Sequence, residues 1–147
     1  MIDLNFPAYE YKVKNIEGKF FIFDVVRKKY VALTPEEWVR QHAVHYMIEQ
    51  LNYPKSLITI ESSLKYNQLQ KRTDIVVHNR EGLPWLLVEC KAPTQKLDSS
   101  VSFQLAMYNR QIQASHLVMT NGLVHLSFSL DTTTGEIIRK AEFPAYP

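Results

Sequence analysis

The sequence predicts an α/β domain, a central mixed β-sheet flanked by helices, with an extra β-hairpin at the N-terminal and at the C-terminal side. Three observations predict it. Two segments, 35–52 and 99–114, repeat apolar residues at three- and four-residue spacing, the period of a helix. Short β-branched and aromatic runs surround them in the order ββ-α-βββ-α-β-ββ. One run, 84–91 (PWLLVECK), is apolar at nearly every position until its end, as a strand covered on both faces would be.

Each element has a local reason. Residues 1–17 are mixed in character and are expected to be partly irregular. KFFIFD at 19–24 and KYVAL at 29–33 read as a hairpin. Thr34-Pro35-Glu36-Glu37 then starts a helix: Thr34 caps, Pro35 suits the first helical position, and Glu37 completes a capping box. Val39, Ala43, Tyr46, Met47 and Leu51 supply its apolar stripe, and Pro54 lies just past its end. LITIES at 57–62 and RTDIVVH at 72–78 are strands, the second closed by the turn Asn79-Arg80-Glu81-Gly82. After 84–91, Pro93 stops the strand. Val101, Leu105, Tyr108 and Ile112 mark the second helix, HLVMT at 116–120 is another strand, and Asn121-Gly122 is a turn. Runs at 123–130 and 136–143 complete the C-terminal hairpin.

Composition narrows the function classes. The chain has 147 residues, which suits a single domain over 1–147 and leaves no room for two helicase motor domains. Seventeen Lys and Arg against fifteen Asp and Glu give a formal charge of +2, which permits nucleic acid without implying it. The lone cysteine, Cys90, excludes an internal disulfide and a four-cysteine zinc site, and a reducing cytoplasm is expected. No apolar run is long enough to span a membrane, and no apolar core of a secretory signal stands near the start. No phosphate-binding G-x-x-x-x-G-K-[ST] occurs, and the five histidines show no zinc-protease spacing. Trp38 and Trp85 read as core or interface aromatics, and Cys90 as a buried, inert thiol.

The chemistry concentrates in Arg72-Thr73-Asp74 and Glu89-Cys90-Lys91. Side chains alternate along a strand, so Glu89 and Lys91 share one face with Leu87 and Trp85, while Leu86, Val88 and Cys90 face the other way. A carboxylate and an ammonium thus close an otherwise apolar strand. Pairing about a turn centred between Glu81 and Gly82 sets Asp74 opposite Glu89. Two converging carboxylates suit a hard divalent cation such as Mg2+, which keeps waters and substrate phosphate oxygens as further ligands. Such an ion activates water, and a nearby lysine stabilises charge or handles the proton. The bland alternative is a solvated strand end with an incidental ion pair. In the second helix, Gln104 and Tyr108 are four apart and share a face.

Asp…Glu-x-Lys on adjacent strands, followed by Gln-x-x-x-Tyr on the next helix, resembles the PD-(D/E)XK nuclease superfamily. The combination RTD…LLVECKAP…QLAMYN…VMTNG is more specific and resembles the N-terminal nuclease domain of the type I restriction enzyme R subunit, over about residues 34–125. The resemblance implies a restriction-endonuclease-like core and metal-dependent DNA endonuclease activity with Mg2+ or Mn2+, in restriction, defence or DNA processing. It implies metal ligation by Asp74 and Glu89, with the Cys90 carbonyl as a third ligand, and makes Lys91 the catalytic lysine. Gln104 would orient the lysine, the water or a phosphate. Tyr108 would support the site or contact DNA, and Lys71 and Arg72 adjoin it as phosphate contacts. A glutamate from the first helix joins many such sites, with Glu37 the candidate and Glu36 the competitor. Thr73 stands where the superfamily's name has proline, a tolerated departure. The chain carries no translocase motor, so a separate motor or restriction-modification subunit is an expected partner, and a homo-oligomer is open. The alternative reading is a non-catalytic DNA-binding or assembly module that keeps the nuclease fold.

Overall fold

The computed structural model of the chain describes residues 1–60, 64–66, 69–71, 75–131 and 133–147. The chain opens with an antiparallel three-stranded sheet, β1 (Val13–Ile16), β2 (Lys19–Asp24) and β3 (Lys29–Ala32). β2 and β3 are the hairpin expected from the sequence. β1 falls in the stretch expected to be irregular. It pairs with β2 through a tight turn in which Glu17 and Gly18 both adopt positive φ, 51° and 83°. That is the mirror-image turn that matches strand twist. Glu-Gly is a weak signature for it, so the strand is hard to read from sequence.

Helix α1 (Pro35–His45) begins as expected, with Thr34 Oγ1 accepting from the Glu37 N–H at 3.0 Å. The capping box is half formed, because the Glu37 carboxylate binds other donors. The predicted helix to residue 52 is a composite. The α-helix ends at His45, and a π-helical turn covers Tyr46–Gln50, with Leu51 N–H donating to the Tyr46 carbonyl at 3.2 Å. Asn52 then takes φ 58°, and Tyr53 N–H reaches back to the Met47 carbonyl at 2.9 Å, a left-handed helix stop. Val39, Ala43 and Met47 are fully buried on the expected stripe, and Val44 beside it is buried too.

The main sheet adds β4 (Ile58–Ile60), β7 (Ile75–His78), β8 (Pro84–Cys90), β9 (His116–Thr120), β10 (His125–Leu130) and β11 (Ile137–Lys140). Their order is β11-β10-β9-β8-β7-β4. Only β8 and β9 run parallel, joined through helix α2 (Ser99–Ile112); the other described pairings are antiparallel. A short hairpin, β5 (Leu64–Tyr66) with β6 (Leu69–Lys71), forms a separate sheet where no element was expected.

The two sheet faces bury different helices. Ile75, Val77, Leu86, Val88, Cys90 and Val118 pack with α1 residues Val39 and Ala43. Val76, Leu87, Leu117 and Met119 pack with Leu105 of α2. Each fully buried aliphatic side chain in these layers contributes roughly 1.5–3 kcal/mol. The result is a mixed sheet with a helix layer on either side, with β8 at its centre. Trp85 departs from the expected face. It sits at the start of β8 and joins the α1-side cluster, with ring centroids 5.7 Å from Tyr53, 5.2 Å from Tyr146 and 4.8 Å from His116.

Candidate functional site

Glu89 is the penultimate residue of β8. It shares the parity of Leu87, so it emerges on the α2 face, between β7 and β9. In the parallel register it lies beside Met119. Its side chain is nearly enclosed, at 7% residue exposure. A carboxylate in such a place is costly unless an opposite charge meets it. Lys91 supplies that charge: Nζ lies 3.1 Å from Glu89 Oε1, with the lysine side chain 21% exposed. The Lys91 backbone is still held to the sheet, its N–H donating to the Thr120 carbonyl at 2.8 Å. Cys90, between them, points to the α1 side and is buried.

The hairpin that carries the site keeps the expected register. Ile75 faces Val88, Val76 faces Leu87 and Val77 faces Leu86, so pairing is centred between Glu81 and Gly82. A bulge at Val77/His78 lies at the turn end, away from Glu89. Asn79 fixes the turn, its Oδ1 accepting from the N–H groups of Glu81 and Leu83, both at 3.0 Å. Asp74 and Arg72 lie outside the described residues. Lys71 ends β6, with its side chain outside them too. On α2, Gln104 is exposed, one position before Leu105, which seals against Leu87. Tyr108 follows one turn later, with its side chain outside the described residues.

Glu37 sits in a charge network between the N-terminal sheet and α1. Its carboxylate accepts from Arg40 Nη1 at 2.7 Å, Gln41 Nε2 at 2.9 Å and Arg27 Nη2 at 3.2 Å. Arg27 also binds Asp24, which is fully buried at the end of β2. Glu36 pairs with Arg40 at 2.9 Å. The Glu36–Arg40 and Glu37–Arg40 links have helical spacing, while the Arg27 link crosses ten residues.

A second organising group lies at Thr120-Asn121-Gly122, which the sequence marks only as a turn. Asn121 Oδ1 accepts from Leu123 and Val124 N–H, and Asn121 Nδ2 donates to the Gln95 carbonyl at 2.9 Å. That last bond ties the loop after Lys91 to the end of β9. Gly122 takes φ 87°, and a Cβ there would meet Leu4 Cδ2 at 2.7 Å, so the N-terminal segment can close over it. Asn5 N–H donates to the Gly122 carbonyl at 2.7 Å. His125 completes the lock. Its Nδ1 accepts from the Thr120 hydroxyl at 2.7 Å, and its Nε2–H donates to the Asn5 carbonyl at 2.8 Å.

A neutral ring suits this arrangement, and burial lowers the pKa of His125, as it does for His42, His45 and His116. Below about pH 6.5 the unfolded chain takes up protons that the folded chain resists. Stability should therefore fall as pH drops through that value, read as a lower urea midpoint. A midpoint unchanged between neutral and mildly acidic pH would contradict it.

These features define the class: an α/β domain with a restriction-endonuclease-like core, a mixed sheet between two helix layers with a Glu-x-Lys pair closing its central strand. The family model for the N-terminus of the type I restriction enzyme R protein matches residues 35–144, and the chain belongs to that family. A structure assigned as a fragment of an HsdR subunit of a type I restriction enzyme from Vibrio vulnificus YJ016 is similar at 22% identity and a TM-score of 0.49. The match covers 69% of this chain and 22% of that one, so this chain spans less than a quarter of that fragment's length. No curated protein matches the chain. Among the described residues, no helix is long and apolar enough to cross a membrane.

Proposed function

We propose that the chain is a metal-dependent DNA endonuclease domain, hydrolysing phosphodiester bonds with Mg2+ or Mn2+. The observation that supports this most is the Glu89–Lys91 pair. A buried carboxylate and an ammonium 3.1 Å apart stand at the end of the central strand, where a purely structural strand would continue apolar or end in solvent.

Hard cations take oxygen ligands. Glu89 offers such oxygens. Among the described residues no three acidic, histidine or cysteine side chains converge, so the proposed set also draws on Asp74 and the Cys90 carbonyl. Asp74 directly precedes Ile75, the partner of Val88, which directly precedes Glu89. It has the parity of Val76, which faces α2 as Leu87 does. Continued register would bring both carboxylates to one face. A bound divalent ion would polarise the scissile phosphate and acidify a water. Lys91, already beside Glu89, would hold its charge near the attacked phosphate and steady the developing negative charge. Gln104 would orient the lysine or a phosphate oxygen, and Tyr108, Lys71 and Arg72 would contact DNA. Membership of an R-subunit family supports work beside a motor and other restriction-modification subunits.

The test of the ligand set is calorimetric. Asp74→Asn should weaken Mn2+ binding by about tenfold or more, since one charge-bearing ligand is lost. Unchanged affinity would remove Asp74 from the set.

A further inference from the structure

The N-terminal sheet lies before the residues that the family model matches, and its two faces differ. One face turns toward α1: Ile22 and Asp24 are fully buried, while Val13 and Phe20, 39% and 53% exposed, line an open cavity with Leu33, Trp38 and His42. The register puts Lys14, Phe21 and Ala32 in one row of the other face, with Phe23 and Tyr30 in the next and Ile16 beside Lys19 beyond. Phe21, Phe23 and Tyr30 are part-exposed there, while Lys12, Lys14 and Lys19 are exposed. Lys12 Nζ stands 5.8 Å from the Phe23 ring centroid and Lys14 Nζ 3.9 Å from that of Tyr30. Phe23 and Tyr30 meet edge to face at 5.2 Å.

The charge of this stretch is one-sided. Residues 10–30 carry Lys12, Lys14, Lys19, Lys28 and Lys29, all exposed, of which Lys29 pairs with Asp24 in register and so belongs to the other face. Their acids are Glu10, Glu17 and Asp24, and Asp24 is buried against Arg27. A chain of net charge +2 thus gathers much of its positive charge on one small sheet.

We infer that this outward face is a binding platform for single-stranded nucleic acid, separate from the Glu89–Lys91 site. Rings lying on a sheet stack unpaired bases, and lysines between them meet the phosphates. A duplex offers only base edges and backbone, so it would use the lysines and leave the rings idle. A single strand is the occupant that complements both features, since an acidic peptide would satisfy the lysines without the stacking.

The experiment is fluorescence anisotropy of a labelled oligothymidylate with the full chain, in chelator, so that cleavage plays no part. The single strand should bind more tightly than a duplex of equal length. Phe23→Ala or Tyr30→Ala should weaken binding by roughly 5- to 100-fold, the worth of one stacked base. Lys14→Gln, an exposed change that leaves the core intact, should reduce the salt slope by about 0.7. An oligouridylate titration tells RNA from DNA, and binding of either supports the platform. Absence of wild-type binding, wild-type affinity in all three variants, a preference for duplex, or displacement by polyglutamate at matched charge would each overturn it. Because binding is read without metal, loss of the nuclease reading would leave this result standing, and the reverse holds too.

Discussion

Lys91→Ala is expected to abolish plasmid cleavage and to leave the domain folded. The two effects separate because of where the side chain stands. Its Nζ pairs with Glu89 at 3.1 Å, but one fifth of the side chain is exposed. Water can therefore replace part of what the ammonium gives the buried Glu89 carboxylate, and the stability cost should be about 1–3 kcal/mol, within the stability of a folded domain. In cleavage nothing replaces it. A positioned proton-transfer group contributes about 10²–10⁴-fold, and a charge aimed at the transition state contributes comparably. Lys91→Arg should not restore activity, since a guanidinium is a wider fork that keeps its proton. Paired measurements decide the matter: urea denaturation beside a cleavage time course. Full activity in Lys91→Ala would remove the lysine from the mechanism.

The second large effect is on stability. Glu37→Ala should cost about 2–3 kcal/mol, because it removes the carboxylate shared by the buried Arg40 and the part-buried Arg27, each of which keeps one other acidic partner, Glu36 and Asp24. For a chain of this size that is a fall of roughly 4–12 °C in Tm. The network also fastens β2 to α1 through Asp24, so the loss should be cooperative across the N-terminal sheet. A fall of only a degree or two would mean that the pairs are replaceable by solvent. The isosteric Glu37→Gln asks a different question. Its carboxylate already has three donors, so direct ligation of a cation would require exchanging at least one of them. Unchanged Mn2+ affinity in that variant would remove Glu37 as the first-helix ligand that the resemblance implies.

Local and repeated signals were legible; compensated and long-range ones were not. The strand at 116–120 was readable to the residue, and the centre of the β7–β8 pairing followed from the Asn79–Gly82 turn. Alternation along β8 correctly separated Glu89 from Cys90, because a strand's two faces bury different helices. It failed for Trp85, at the strand's first turn of the pleat, where a large ring reaches Tyr53 and Tyr146 instead. The helix over 35–52 hid its own interruption, since a π-helical turn preserves the apolar stripe through Met47. β5 and β6, three residues each and half polar, carry too little pattern to be seen. The bond from Asn121 to Gln95 shows why Asn-Gly says more than turn here: its side chain fastens the loop that follows Lys91. For the candidate site, the Glu-x-Lys pair stood out only in combination with the spaced Asp74 and the Gln104 and Tyr108 helix face, since Glu-x-Lys alone is common. The use of Glu37 was ambiguous, since one residue suited a cap and a ligand at once, and the structure adds an ion-pair network.

The most direct test of the central claim is cleavage of supercoiled plasmid by the wild-type chain in Mg2+ and in Mn2+, each beside a chelator lane. The account predicts nicked or linear product in the metal lanes and intact plasmid under chelation. Cleavage that persists in chelator, or plasmid left intact in both metals, would contradict a self-sufficient metal-dependent nuclease at Glu89 and Lys91.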